Sequence, residues 1–167
     1  MKFSNLMQDA VNNQINMEFM SSYSYLAMSA WCERQSFVGS AAWLRAQSQE
    51  EKEHAMKLYQ FLADRNAVIE LKAIPAPGVE WKSLRDIFSD ALAQEEKVSE
   101  AINHLYELAL QERSYATAAE LQWFLTEQVE EEKSARMIMK KFELIKNDGP
   151  ALLELDRELG ARALPGE

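Results

Sequence analysis

The sequence predicts an all-α fold: a four-helix bundle with one long crossover after the second helix and a short fifth helix at the carboxyl terminus. Glycine and proline, which interrupt helices, are absent from residues 5–37, 40–74 and 79–147. These tracts are rich in Ala, Leu, Glu, Gln, Met and Lys, which favour helix. Within them apolar residues recur at the spacing i, i+4, i+7, which gives each helix one inward stripe.

The first two helices are predicted over residues 5–34 and 40–65. The apolar stripe of the first includes Val11 and Ile15, and that of the second includes Leu44, Leu58 and Leu62. The joint between them is short, so the two helices should form an antiparallel hairpin.

The third and fourth helices are predicted over residues 83–112 and 115–145, again with a short joint and an antiparallel arrangement. Residues 66–82 are long enough to cross the length of the bundle between the hairpins. Ser83 lies three residues before Asp86 and is a suitable N-cap for the third helix.

The fifth helix is predicted over residues 150–159. It follows Gly149 and Pro150. We expect Gly149 to supply a left-handed cap that ends the fourth helix and Pro150 to open the fifth.

Composition excludes several classes of function. Eighteen Lys and Arg against 27 Asp and Glu give a formal net charge of -9, which disfavours nucleic-acid binding and favours cations as ligands. No apolar run approaches the length of a signal peptide or membrane span. The single cysteine, Cys32, fits a reducing compartment. We therefore expect a cytoplasmic, soluble, single-domain protein over residues 1–167.

Polar residues interrupt the apolar stripe near the middle of every long helix. They are Glu18 in the first helix, Glu51 and His54 in the second, Glu95 in the third, and Gln128 and Glu131 in the fourth. A carboxylate in an apolar stripe costs several kcal/mol unless it is neutralised, hydrogen-bonded or bound to a cation. Facing carboxylates also repel one another. The pattern therefore predicts a metal site in the core.

The same polar positions repeat along the chain. Glu18 and Glu95 are 77 residues apart, and so are Glu51 and Gln128, and His54 and Glu131. Such pseudo-two-fold symmetry predicts two metal ions with shared carboxylate, and carboxylates with one imidazole suit iron. For Gln128, direct ligation and a hydrogen-bonded core amide both remain open.

These residues belong to motifs that resemble the ferritin-like di-iron carboxylate proteins, and among them the bacterial non-haem ferritins. The resemblance spans about residues 5–160. The motifs that carry it are Asn16-Met17-Glu18, Met28-Ser29-Ala30-Trp31, Gln49-Glu50-Glu51-Lys52-Glu53-His54, Leu121-Gln122-Trp123-Phe124 and Glu127-Gln128-Val129-Glu130-Glu131-Glu132-Lys133.

The resemblance implies a role for each matching residue. Glu18, Glu51 and His54 would hold the first iron, with Glu51 bridging, and Glu95 and Glu131 would complete the second, with Gln128 beside it. A third, more loosely held iron would be bound by Glu131 together with three other glutamates, Glu50, Glu127 and Glu130. The run 127–132 could instead be a solvated charged face.

Two aromatic residues match family positions near the centre. Tyr25 corresponds to the family's tyrosine, and the resemblance implies that it is a catalytic residue that supplies an additional electron. Trp123 corresponds to the family's nearby tryptophan. Both could equally be packing residues.

The resemblance further implies a ferroxidase that uses dioxygen or peroxide to convert Fe(II) to Fe(III). The product would be stored as mineral inside a homo-oligomeric shell of 24 subunits. Bacterioferritins bind haem through a methionine beside the bridging glutamate, where this chain has Lys52, so no haem is expected. A di-iron oxygenase or peroxidase, which should have an apolar substrate pocket, and a purely structural bundle are the alternatives.

Overall fold

Five helices make up the fold, as a computed structural model describes it for residues 3–146 and 148–161. They are α1 (Asn5–Arg34), α2 (Val38–Asp64), α3 (Leu84–Gln111), α4 (Tyr115–Ile145) and α5 (Gly149–Gly160). The described ranges contain no strand, and no helix within them has an apolar stretch of the length needed to span a bilayer. The predicted bundle with a short fifth helix is confirmed.

Several predicted helix ends differ from the structure by one or two residues. The second helix was expected over 40–65, the third over 83–112 and the fifth over 150–159. The second begins earlier because Gly39 and Val38 already have helical geometry, although glycine usually marks a break. The third is shorter because Ser83 and Glu112 are its caps.

Side-chain caps begin three of the helices. The Ser83 hydroxyl accepts a hydrogen bond from the Asp86 amide at 3.2 Å, as its position in the sequence predicted. Ser4 and Asp148 cap α1 and α5 in the same way, at 3.1 Å from Met7 N and 2.9 Å from Ala151 N. Each cap satisfies one of the amides that the first helical turn leaves unpaired.

Left-handed residues end α1, α2 and α3, and none of them is glycine. Ser36, Asn66 and Arg113 have φ of 64°, 50° and 53°. After each, the next amide donates to the carbonyl five residues earlier, at 2.8–3.0 Å. This is the Schellman arrangement. The expectation that Gly149 would be a left-handed cap was wrong: it is the first residue of α5, and Lys146 has the positive φ, 56°.

The core consists of two apolar clusters that lie at opposite ends of the bundle. One is built around Tyr25, Trp43, Phe88 and Phe142, and the other around Ile15, Leu58, Ile102 and Leu121. Along each of the four long helices the chain passes from one cluster to the other. The polar positions between the clusters are therefore held at one level by apolar packing on both sides.

Side chains of α1 hold the crossover against the bundle. Asn12 accepts from Glu70 N and donates to Val68 O, both at 2.9 Å, and Asn16 accepts from Lys72 N at 2.8 Å and donates to Glu70 O at 3.0 Å. Gln8 accepts from Val68 N at 2.8 Å. The three amide side chains, spaced one helical turn apart, thus satisfy alternate residues of an extended segment.

The fifth helix is attached to the start of α2. Asp156 accepts hydrogen bonds from Gly39 N at 3.1 Å and from Ser40 N and Ser40 Oγ at 2.7 Å. It thereby caps α2, whose own N-cap residue, Phe37, makes no side-chain cap. A Cβ on Gly39 would lie 1.8 Å from Asp156 O, so the close approach of the two helices requires glycine there.

Candidate metal centre

The six polar residues that interrupt the apolar stripes are all buried, each less than a tenth exposed. Ligand atoms of Glu18, Glu51 and His54 all lie within 4.8 Å of one another. A second group, formed by His54, Glu127 and Glu131, meets the same limit. These distances are those needed to place several donors around one ion.

Hydrogen bonds fix some of the carboxylate oxygens. Glu95 accepts from the Tyr25 hydroxyl on Oε1 and from Gln128 Nε2, 3.3 Å away, on Oε2. Glu18 Oε1 accepts from Gln14 Nε2 at 2.7 Å, and Glu131 Oε2 accepts from Gln47 Nε2 at 2.9 Å. Each of these three carboxylates is thus oriented by at least one neutral donor.

Four buried polar atoms at the first of these groups have no hydrogen-bond partner among the residues that the structure describes. They are Glu18 Oε2, both carboxylate oxygens of Glu51, and His54 Nδ1. His54 Nδ1 lies 3.5 Å from Glu51 Oε2. Leaving a buried polar group unsatisfied costs about 1–3 kcal/mol. Divalent cations among these atoms would satisfy all four, and their oxygen and imidazole chemistry suits iron.

Burial and mutual repulsion disfavour the charged forms of these groups. Burial, with a smaller contribution from the Glu95 charge, raises the pKa of Glu18 to about 7, although the Gln14 hydrogen bond opposes the rise. Burial also raises the pKa of Glu51, where the charges of Glu95 and Glu18 add to the effect. Burial lowers the pKa of His54 to about 4, so the imidazole is neutral and able to bind a metal at neutral pH.

The residues expected at a third site line one cavity beside the centre. Glu50, Glu127, Glu130 and Glu131 are all on the wall of a cavity of about 520 Å³ between α2, α4 and α5. Burial, then the charges of Glu50 and Glu130, raise the pKa of Glu127. Glu127 is therefore close enough to Glu50 and Glu130 for their charges to repel, and a ligand atom of Glu131 lies within 4.8 Å of one of Glu127. Glu130 is exposed while Glu131 is buried.

The two aromatic residues singled out from the sequence occupy different environments. Tyr25 is fully buried and donates its hydroxyl hydrogen bond to Glu95. Trp123 is 41% exposed, and its ring centroid lies 5.3 Å from that of His54. The Lys57 ammonium sits 5.0 Å from the Trp123 ring. Trp123 thus lies between the centre and the surface.

A family model described as the ferritin-like domain matches residues 8–145, which include every residue of this centre. The chain belongs to the ferritin-like family. The resemblance stated from the sequence motifs is therefore confirmed.

Relatives of this ferritin-like chain match it over nearly its whole length. A bacterial non-heme ferritin from Staphylococcus aureus (strain USA300) is 38% identical over 159 residues, which is 95% of this chain and 96% of that protein. One from Staphylococcus haemolyticus is 38% identical with the same coverage.

Among solved structures, the open-pore ferritin of the hyperthermophilic archaeon Archaeoglobus fulgidus superposes with a TM-score of 0.95. It is 42% identical, and the match covers 96% of this chain and 98% of that one. An engineered closed form of the same archaeal ferritin has a TM-score of 0.95 at 41% identity, with 98% and 99% covered.

Two buried residues at the centre were missed by the sequence reasoning, namely Gln14 and Gln47. Each lies four residues before a core glutamate, at Gln14-x-x-x-Glu18 and Gln47-x-x-x-Glu51. That spacing puts an amide one helical turn from a carboxylate and could have identified both. Gln47 nevertheless bonds across the bundle to Glu131 rather than along its own helix to Glu51.

Proposed function

We propose that this chain is the subunit of an iron-storage ferritin that oxidises Fe(II) to Fe(III) in the core of its bundle. The observation that carries the proposal is the set of four buried, unpartnered ligand atoms of Glu18, Glu51 and His54 within the described part of the chain. Membership of the ferritin-like family and the names of the bacterial relatives support iron as the metal.

In this proposal Glu18, Glu51 and His54 hold one Fe(II). Both oxygens of Glu51 lack a partner among the described residues, which suits a carboxylate that bridges to a second ion. Glu95 and Glu131 hold the second Fe(II). The Gln128 amide nitrogen is occupied by Glu95 and by Ser99 Oγ at 3.2 Å, so Gln128 would contribute to metal binding through its other amide atom, Oε1.

Two Fe(II) ions give two electrons to one molecule of dioxygen or peroxide, and the protein supplies position and charge. Carboxylates with raised pKa release protons when iron binds, and the resulting anionic oxygens stabilise Fe(III) more than Fe(II). Buried Tyr25 donates a hydrogen bond to Glu95, which supports its proposed role as the donor of one further electron to the same oxidant.

Oxidised iron would leave through the cavity that adjoins Glu131. Its wall carries Glu50, Glu127 and Glu130, which we propose as a third, looser iron site. The carboxylates that line this cavity suit a cation, which favours ferroxidase activity over a di-iron oxygenase, although apolar side chains such as Trp43 and Met137 also line it. We further propose a cytoplasmic shell of 24 subunits, without haem, that stores the ferric mineral.

Aerobic addition of Fe(II) to chelator-treated protein tests the proposal. Ferric absorbance should rise much faster with the wild type than in buffer, and the Glu51→Ala variant should lose most of that rate. Glu100→Ala, on the exposed face of α3, is the matched control and should behave as the wild type. Wild-type oxidation no faster than buffer would refute a ferroxidase, and elution as a 19.2 kDa monomer would refute a shell.

A further inference from the structure

Two buried glutamines contact the centre without belonging to the proposed ligand set. Gln14 is 4% exposed and Gln47 is 1% exposed. Each donates from Nε2 to one oxygen of one candidate ligand: Gln14 to Glu18 at 2.7 Å and Gln47 to Glu131 at 2.9 Å. One glutamine therefore serves each of the two proposed iron positions.

The internal repeat of the chain indicates that packing alone does not require an amide at these positions. The residues 77 positions further on are Ala91 and Phe124, both apolar and 1% exposed. The second hairpin thus has a buried apolar side chain wherever the first has a buried glutamine. A buried amide is costly unless its hydrogen bonds are made, so its presence in the first hairpin calls for a role.

An amide is a neutral donor, which matters beside an iron ligand. It holds one carboxylate oxygen in place without cancelling the negative charge that attracts the metal, as a lysine or arginine would. At Glu18 the held oxygen is Oε1, and the other, Oε2, has no partner in the described part of the chain. The terminal torsion of glutamate is otherwise broad, so without the donor the carboxylate could turn to bind through both oxygens.

We propose that Gln14 and Gln47 are positioning residues that restrict Glu18 and Glu131 to binding iron through one oxygen each. The inference rests on the proposed function and deepens it. Gln14 would act on the ion held by Glu18, Glu51 and His54, and Gln47 on the ion held by Glu131 and Glu95. Their effects should therefore be separable by site.

The test uses Co(II), a probe that the centre does not readily oxidise, with chelator-treated, assembled protein. Titration calorimetry and the visible absorption of bound Co(II) are recorded for the wild type, Gln14→Leu and Gln47→Leu. Leucine removes the hydrogen-bond donor but still fills the space of the glutamine side chain. A smaller residue would let water into the centre, because Gln14 and Gln47 also border surface cavities. The exposed Gln49→Leu, in the same helix as Gln47, is the control.

We expect two tightly bound Co(II) per wild-type subunit, and in each variant a fall of about 10- to 100-fold in affinity at one of these two sites only. The absorption band of the affected ion should change as its coordination number rises. Anomalous scattering from Co(II)-soaked crystals should place the weakened ion beside Glu18 in Gln14→Leu and beside Glu131 in Gln47→Leu. Fe(II) oxidation should slow in both.

A merely structural role would lower the unfolding temperature and weaken both sites equally, and that result would overturn the inference. Unchanged affinities and spectra in both variants would also overturn it. If a leucine variant fails to assemble, the unbranched Gln14→Met and Gln47→Met replace it, with the same expected split. A wild type that binds no Co(II) would instead refute the proposed metal centre itself.

Discussion

Replacing Glu18 by glutamine should stabilise the metal-free protein by an amount that grows as the pH rises from about 4.5 to about 7 and is greatest above that range. In the folded chain the pKa of Glu18 is raised from 4.5 to about 7, chiefly by burial. Because the folded state then binds the proton more tightly than the unfolded state, this group contributes its full stability below about pH 4.5. The contribution is lost as the pH rises to about 7. One pKa unit corresponds to about 1.36 kcal/mol, so above about pH 7 the charged Glu18 side chain lowers the free energy of unfolding by about 3 kcal/mol.

The Glu18→Gln variant removes this titration, and its side-chain oxygen can still accept the Gln14 hydrogen bond. We expect its thermal unfolding midpoint to exceed that of the wild type by about 10 °C near pH 8, and by little near pH 5. The assay is scanning calorimetry of chelator-treated protein at both pH values, with Glu100→Gln, a change on an exposed side chain, as control. Saturating Co(II) should raise the wild-type midpoint and raise that of the variant much less.

A stability difference between Glu18→Gln and the wild type that is the same at both pH values would refute this reasoning. So would a variant that is less stable than the wild type near pH 8. Either result would mean that the buried carboxylate is not a cost that metal binding relieves. The exposed-site control separates such an outcome from a general effect of removing one negative charge from an acidic chain.

Three further substitutions test the contacts that hold the helices, each by the thermal unfolding midpoint. Asp156→Ala should lower the unfolding free energy by about 2 kcal/mol, because three hydrogen bonds at the start of α2 are lost; an unchanged midpoint would contradict this. Gly39→Ala should cost about 3 kcal/mol or more through backbone overlap. Gly78→Ala is the control and should leave the midpoint unchanged, because a Cβ there meets no described atom within 4 Å. Equal losses of stability in the two alanine variants would argue against backbone overlap at Gly39. Arg113→Gly should raise stability by about 1 kcal/mol by removing a left-handed arginine, and a lower midpoint would count against that assignment.

The bundle was predictable because its evidence is local and repeated. Long tracts without glycine or proline predicted all four long helices, and the ends of α1 and α4 agree with the prediction. The burial of polar positions such as Glu18 and Glu95 followed from their place in an apolar stripe, since helical periodicity puts i, i+4 and i+7 on one face. The 77-residue repeat supplied the relation between the two hairpins.

Contacts between helices far apart in sequence could not be predicted. Nothing near Asp156 indicates that its carboxylate caps a helix that begins more than a hundred residues earlier. Gln47 bonds across the bundle to Glu131 rather than along its helix, because the rotation of each helix about its axis is set by tertiary packing. The left-handed backbone conformation of Ser36 and Arg113 could not be predicted either, because glycine is the usual sequence signal for that conformation.

The hydrogen bonds between α1 and the crossover depend on whether residues are inserted into the crossover in odd or even numbers, more than on which residues they are. The side chains of Gln8, Asn12 and Asn16 meet the backbone of residues 68, 70 and 72, and the backbone groups of an extended chain alternate in direction. Inserting one residue after Ala67 would turn the wrong peptide groups toward α1, whereas inserting two would restore their direction. Natural or engineered variation in this loop should therefore be tolerated in steps of two.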